Sequence, residues 1–256
     1  MPRIRQWLQS CPRQPRIFIE PFCGGGIVSL TVAAERLAHR VMMIELDEDV
    51  AAVWHVCLSG QASLLAQQIL EFELTSRSVR DVIQQKSSSL EERAFKTVVR
   101  NRVNRGGILA PGAGLIKNGE NGKGLASRWY PETLAKRIHN IVEFREYIDF
   151  VQGDGVATIE EHGQNEEAMF FVDPPYTAGG KKAGNRLYKH FELDHQRLFE
   201  LMSTVTGDFL MSYDNSSKIR ELASQYKFDT ELVAMKNTHH AKMTELLVGR
   251  NLDWIR

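Results

Sequence analysis

Along the chain, short unbroken apolar runs alternate with amphipathic stretches, the pattern of strands and helices taking turns. Arg16-Ile17-Phe18-Ile19-Glu20 predicts a strand running into a turn over 21–26, and helical spacing follows through Leu30, Ala34 and Leu37. Arg40-Val41-Met42-Met43-Ile44-Glu45 predicts a second strand. Asp47-Glu48-Asp49 then predicts a helix start, where carboxylates suit the positive end of the helix dipole. Together these make a unit of βαβ size. From about Trp54 to Arg145 the spacing becomes that of long polar helices, broken by a glycine-rich loop from Gly106 to Gly124. Strand-like runs return over 147–151, 168–173, 208–212 and 228–235, with a helix over 194–202 that has Asp194 as its N-cap. The alternation predicts an α/β fold with a mainly parallel sheet, its core over 1–54 and 146–256 split by a helical insertion over 55–145.

The chain has 256 residues and is 43% hydrophobic, enough for a full core and against disorder. Its formal net charge is zero, but the charges are unevenly spread. Between Arg93 and Arg137 stand ten basic residues against two acidic ones, whereas Val41 to Glu73 holds no Lys or Arg. A basic, glycine-bearing segment with Trp129-Tyr130 in it suits phosphate contact. Cys11, Cys23 and Cys57 form no CxxC pair, so reduced thiols are expected and neither a disulfide framework nor a zinc site. His239-His240 has no further ligand spacing, and no metal is expected. The basic start Met1-Pro2-Arg3-Ile4-Arg5 has no apolar signal core behind it, and no apolar run reaches the ~18 residues of a membrane span. A soluble, cytoplasmic protein is the expectation.

Two segments carry candidate chemistry. Phe22-Cys23-Gly24-Gly25-Gly26 lies between a strand and a helix, where a backbone without Cβ admits a ligand closely. Glu45 ends the next strand roughly twenty residues further on, where a carboxylate can accept from two ribose hydroxyls. The sharper signal is Phe170-Phe171-Val172-Asp173-Pro174-Pro175-Tyr176. The prolines end an apolar strand and set Asp173 and the Pro174 carbonyl together at the carboxyl end of the sheet, with Tyr176 as an aromatic face. Two acceptors beside a ring suit a flat heterocycle with an exocyclic amine.

These segments resemble the Dam-like, alpha-class DNA adenine-N6 methyltransferase family. Phe18-Ile19-Glu20-Pro21-Phe22-Cys23-Gly24-Gly25-Gly26 resembles the family's cofactor motif, and Asp173-Pro174-Pro175-Tyr176 its catalytic motif, in the family's order with an insertion between. Gly153-Asp154 resembles the site of an acid that holds the cofactor's adenine, Arg128-Trp129-Tyr130-Pro131-Glu132 a segment leaving the target-recognition region, and Thr244-Glu245-Leu246-Leu247-Val248 the last core strand. The resemblance implies a Rossmann-like S-adenosylmethionine-dependent methyltransferase sheet. It implies S-adenosylmethionine held by Glu20, Pro21, Phe22, Gly24, Gly26, Glu45, Asp154 and Asp173, and catalysis by Asp173, Pro174, Pro175 and Tyr176. Double-stranded DNA is the implied partner, contacted by Arg100, Arg102, Arg105, Lys123, Lys181 and Lys182 with its target adenine flipped out, and a cognate restriction nuclease would fit a restriction-modification role. Family members usually open with a Lys-x-x-Gly-Gly-Lys-like segment, which Met1-Pro2-Arg3 does not match: either the start is truncated or donor binding relies on the remaining contacts.

Other readings stay open at this point. Cytosine N4, RNA or a protein glutamine are competing acceptors, although Asp at the head of the tetrapeptide favours adenine over the Ser or Asn of those relatives. A non-catalytic DNA-binding relative is a second class, separated by whether methyl transfer occurs. A nicotinamide oxidoreductase would use the glycine turn but leaves Asp173 to Tyr176 without a role.

Overall fold

The structure is a computed structural model that describes residues 1–119, 122–175, 193–236 and 242–256. It resolves into two compact units, one from Met1–Leu46 and the described residues from Tyr147 onward, the other from Asp47–Glu146. The second unit starts at Asp47, and the helix beginning there stands in it, where the sequence pattern had grouped 1–54 with the core.

Seven strands make the sheet of the first unit: β1 (Ile17–Glu20), β2 (Arg40–Glu45), β3 (Ile148–Gln152), β4 (Ala168–Val172), β5 (Asp208–Asp214), β6 (Asp229–Lys236) and β7 (Lys242–Gly249). Their order is β3-β2-β1-β4-β5-β7-β6. The first five are parallel, while β7 runs antiparallel to both β5 and β6. The α/β fold with a mainly parallel sheet, expected from the alternating pattern, is thus present. All five residues of β4 are buried, as a central parallel strand covered on both faces requires.

Helices α2 (Ile27–Ala34), α8 (Gly155–His162), α9 (His195–Thr204) and α10 (Ser217–Gln225) belong to this unit. Asp194 caps α9 by accepting the Arg197 N–H at 3.0 Å, and Leu198, Phe199 and Met202 sink into a core with Phe170, Val172, Phe209 and Met211. A helix the sequence reading did not anticipate, α1 (Pro2–Ser10), buries Ile4, Trp7 and Leu8 at helical spacing. The Trp7 indole N–H donates to Asp208 at 2.9 Å, which ties α1 to the start of β5.

The second unit holds α3 (Glu48–Cys57), α4 (Ala62–Glu71), α5 (Ser76–Gln84), α6 (Leu90–Val103) and α7 (Pro131–Val142). Asp47, Thr75 and Ser89 cap three of them. α3 packs on α6 and α4 on α7, and Phe72 meets Phe95 and Trp129 edge-on at ring separations of 5.2 and 5.6 Å. The glycine-rich stretch is more ordered than its composition suggests. Gly106 and Gly107 turn with φ of 64° and 73°, and the chain folds back so that Arg105 N–H donates to the Gly114 carbonyl at 2.9 Å and Ile116 N–H to Val103 at 2.8 Å. No helix among the described residues is long and apolar enough to cross a membrane, and no group of three or more of them could hold a metal ion. His239-His240 lies outside the described residues.

Candidate functional site

Strand order reverses between β1 and β4, which opens a crevice at the carboxyl ends of the strands. The turn after β1 is fastened to β2 there: Cys23 N–H donates to the Ile44 carbonyl at 2.9 Å, and Gly24 N–H to the Glu45 carboxylate at 2.9 Å. Gly24 and Gly26 have φ of 46° and 60°, in the left-handed region that favours glycine. A Cβ at Gly24 or Gly25 would meet no atom within 4 Å, so this backbone faces open space at the start of α2. Ile27 (64% exposed), Leu46 (45%) and Val151 (42%) leave apolar surface uncovered at the same end of the sheet.

Glu20 is the unusual member of this group. It ends β1 only 3% exposed, and its carboxylate accepts the Ser29 N–H from the first turn of α2 at 2.9 Å. Burial pushes the carboxyl up to about 8; the hydrogen bonding from Ser29 opposes this and the charge of Asp173 adds to it. Glu20 therefore keeps its proton near neutrality until a cation or donor reaches it.

Around the loop after β3, Gly153 N–H donates to the Glu45 carbonyl at 3.0 Å. The exposed Asp154 caps α8, its carboxylate accepting from Val156 N–H at 2.7 Å and Ala157 N–H at 3.4 Å. Gly155, which the sequence reading passed over, lets this loop approach the turn after β1: a Cβ there would lie 2.2 Å from the Pro21 carbonyl oxygen. A glycine following an N-capping Asp154, at the first position of a helical pattern, was the available signal.

β4 ends at Val172, with Asp173 exposed, Pro174 buried and Pro175 half-buried. Asp173 lies near enough to act electrostatically on both Glu20 and Tyr213 of β5. The Tyr213 phenol is driven far above its usual range by burial, then by Asp173 and Asp214, and its hydroxyl lies 3.2 Å from His195 Nδ1. The sequence reading missed this buried pair, although Ser212-Tyr213-Asp214 ends a strand beside the catalytic candidate. Tyr176, Lys181 and Lys182 lie outside the described residues. The structure thus brings Glu20, Pro21, Gly24, Gly26, Glu45 and Asp173 to one end of the sheet.

The DNA-contact candidates of the second unit differ among themselves. Arg100 is occupied within the unit, pairing with Asp49 at 3.1 Å and donating to the Leu109 carbonyl at 2.6 Å. Arg105 and Lys123 are exposed, and Arg102 is half-buried.

A glycine turn leading into a helix, an acid closing the next strand and a seven-stranded sheet of this order make up a Rossmann-like sheet of the S-adenosylmethionine-dependent methyltransferase type. Residues 119–238 match the model of the D12 class N6 adenine-specific DNA methyltransferase family, which bears out the family resemblance of the sequence and its donor. No curated protein matches the chain in sequence. Among solved structures, the chain is similar to a methyltransferase from Geobacter sulfurreducens, with 14% identity, TM-score 0.41, and coverage of 98% of this chain and 78% of that one. It is also similar to the M1A22 tRNA methyltransferase TrmK of B. subtilis, with 10% identity, TM-score 0.40, and coverage of 98% and 66%.

Proposed function

We propose that the protein transfers a methyl group to N6 of an adenine in double-stranded DNA. The observation that carries this reading is the meeting of Glu20, the Gly24 turn and Glu45 with Asp173-Pro174 at one end of the sheet, in a chain whose residues 119–238 match an adenine-N6 family. The residues suit the donor: open glycine backbone for close approach, Glu45 for ribose hydroxyls, a buried Glu20 able to take up a cation, and uncovered apolar side chains for a ring. S-adenosylmethionine supplies an electrophilic methyl group. Asp154 completes the donor contacts in this reading while also capping α8.

Adenine N6 is a weak nucleophile because its lone pair is delocalised into the ring. Asp173 and the Pro174 carbonyl accept its two N–H groups, which favours the pyramidal nitrogen needed for in-line attack and holds it in place. Tyr176 stacks on the base, which must leave the duplex to be reached. Arg102, Arg105, Lys123, Lys181 and Lys182 meet phosphates or base edges; Arg100 drops out of that set because its guanidinium is committed to Asp49 and Leu109. The test is to incubate the full chain with labelled donor and mixed-sequence duplex DNA, then map the modified bases. N6-methyladenine in the duplex is expected. Label only on cytosine or on the protein, or no label in the duplex, would overturn the assignment.

A further inference from the structure

β5 outruns its neighbour in the sheet. β4 ends at Val172, which pairs with Met211, while β5 continues to Asp214 and stays paired with β7 there. Ser212 and Tyr213 therefore stand one strand away from the turn that carries Asp173 and Pro174. Side chains alternate along a strand, so Tyr213 shares the face of Met211 and enters the core of Phe170, Val172, Leu198 and Phe199. Its ring is fully enclosed, with the Phe199 ring 5.7 Å away.

One polar contact interrupts that core. The Tyr213 hydroxyl lies 3.2 Å from Nδ1 of His195, and the two rings meet edge-on at 5.6 Å. His195 is buried as well and opens α9, whose start is fixed by the Asp194 cap. Burial favours the neutral form of both groups, raising the phenol far above its usual range and lowering the imidazole. Taking a hydroxyl and an imidazole out of water brings little net stability, and an apolar pair of similar shape would serve the core as well. What a satisfied buried bond supplies is a single fixed geometry. Here it joins β5 to the start of α9 next to the turn after β4, where Pro174 is buried and Asp173 faces outward. Asp173 is also close enough to act electrostatically on Tyr213.

We propose that Tyr213 and His195 are positioning residues for methyl transfer, their hydrogen bond fixing the inner wall on which the Asp173-Pro174 turn is set. Tyr213 is too enclosed to meet a substrate itself, so it acts through that turn. The inference rests on the reading of Asp173 and Pro174 as the groups that hold the acceptor amine. A small displacement of the turn misdirects both acceptors, and orientation of this kind governs the rate more than it governs binding.

The test is the single-turnover rate of methyl transfer by the full chain at saturating donor and duplex DNA. Tyr213→Phe removes the hydroxyl and keeps the ring, and should slow the step about three- to tenfold. Donor affinity in calorimetry and DNA affinity in anisotropy should match wild type. His195→Ala should slow the step likewise, and His195→Asn, which offers an amide oxygen in place of Nδ1, should restore it. The double variant, Tyr213→Phe with His195→Ala, should be no slower than the slower single variant, because the one bond is lost only once. A folded Tyr213→Phe with the wild-type rate overturns the proposal even if its melting temperature falls, as do losses that multiply in the double variant. Either result, with N6-methyladenine still formed by the wild type, leaves the proposed function standing. If the wild type methylates another acceptor, that function fails, and the same comparison of rates on that acceptor decides the pair. A wild type that transfers no methyl group overturns both.

Discussion

Glu20→Gln should change how stability depends on pH. Folding moves the Glu20 carboxyl from 4.5 to about 8, chiefly by burial. The folded protein therefore binds this proton more tightly than the unfolded chain. The stabilisation is fully present below the unfolded value of 4.5 and is lost as pH rises towards 8. At 1.36 kcal/mol per unit, the displacement is worth on the order of 4–5 kcal/mol across that window. Glutamine keeps the shape and the acceptor for the Ser29 N–H but has no proton to lose. Urea unfolding of both proteins at pH 5, 6.5 and 8 measures the effect, because the difference between them cancels every other titrating group. The variant should gain several kcal/mol on wild type between pH 5 and 8. Curves that stay parallel within about 1 kcal/mol would refute the argument and place an ionised Glu20 in the folded protein.

Other substitutions test the site piece by piece. Asp173→Ala should cut methyl transfer at least tenfold, the cost of a charged hydrogen bond of ~1.5–3 kcal/mol, while donor affinity in calorimetric titration falls by much less, because the main role of Asp173 is to hold the target amine. Glu45→Ala should weaken the donor about ten- to hundredfold without changing DNA affinity, as calorimetry and anisotropy would show side by side. Gly155→Ala should destabilise the protein by about 1–3 kcal/mol and lower donor affinity, since its Cβ would stand 2.2 Å from the Pro21 oxygen; thermal melting and titration check it. Trp7→Phe leaves Asp208 without its indole donor, and chemical denaturation should show a loss of about 1–3 kcal/mol.

The strands were legible because parallel strands buried on both faces read as unbroken apolar runs. Met42-Met43-Ile44 and Phe170-Phe171-Val172 left little choice of element, and β2 occupies the residues the pattern gave it. α1 was not legible: its apolar residues, Ile4, Trp7 and Leu8, are too few to stand out from the basic start, and only tertiary contacts, with Phe18 of β1 and the start of β5 among them, give them a purpose. The boundary of the second unit was misjudged for a related reason. α3 follows β2 directly, but its partner is α6, forty residues further along, and pairings of that kind leave no local mark. In the site, the residue types were readable while their states were not. Glu20 stands in the cofactor-like motif, but nothing in its neighbours along the chain reveals a buried carboxyl without a cation. Arg100 looked like any other arginine of the basic segment until Asp49 was placed beside it.

β7 slots between β5 and β6, two strands made before it. On a ribosome this fixes an order of events. β5 is complete at Asp214, but the strand that covers its outer edge ends at Gly249. At 5–20 residues per second, the interval between the two is roughly 2–7 s. Until β7 pairs with it, β5 has an open strand edge with Phe209, Met211 and Tyr213 not yet enclosed, the kind of edge that invites a neighbouring chain. The folding chain is thus most open to pairing with a neighbouring copy in the interval before β7 docks.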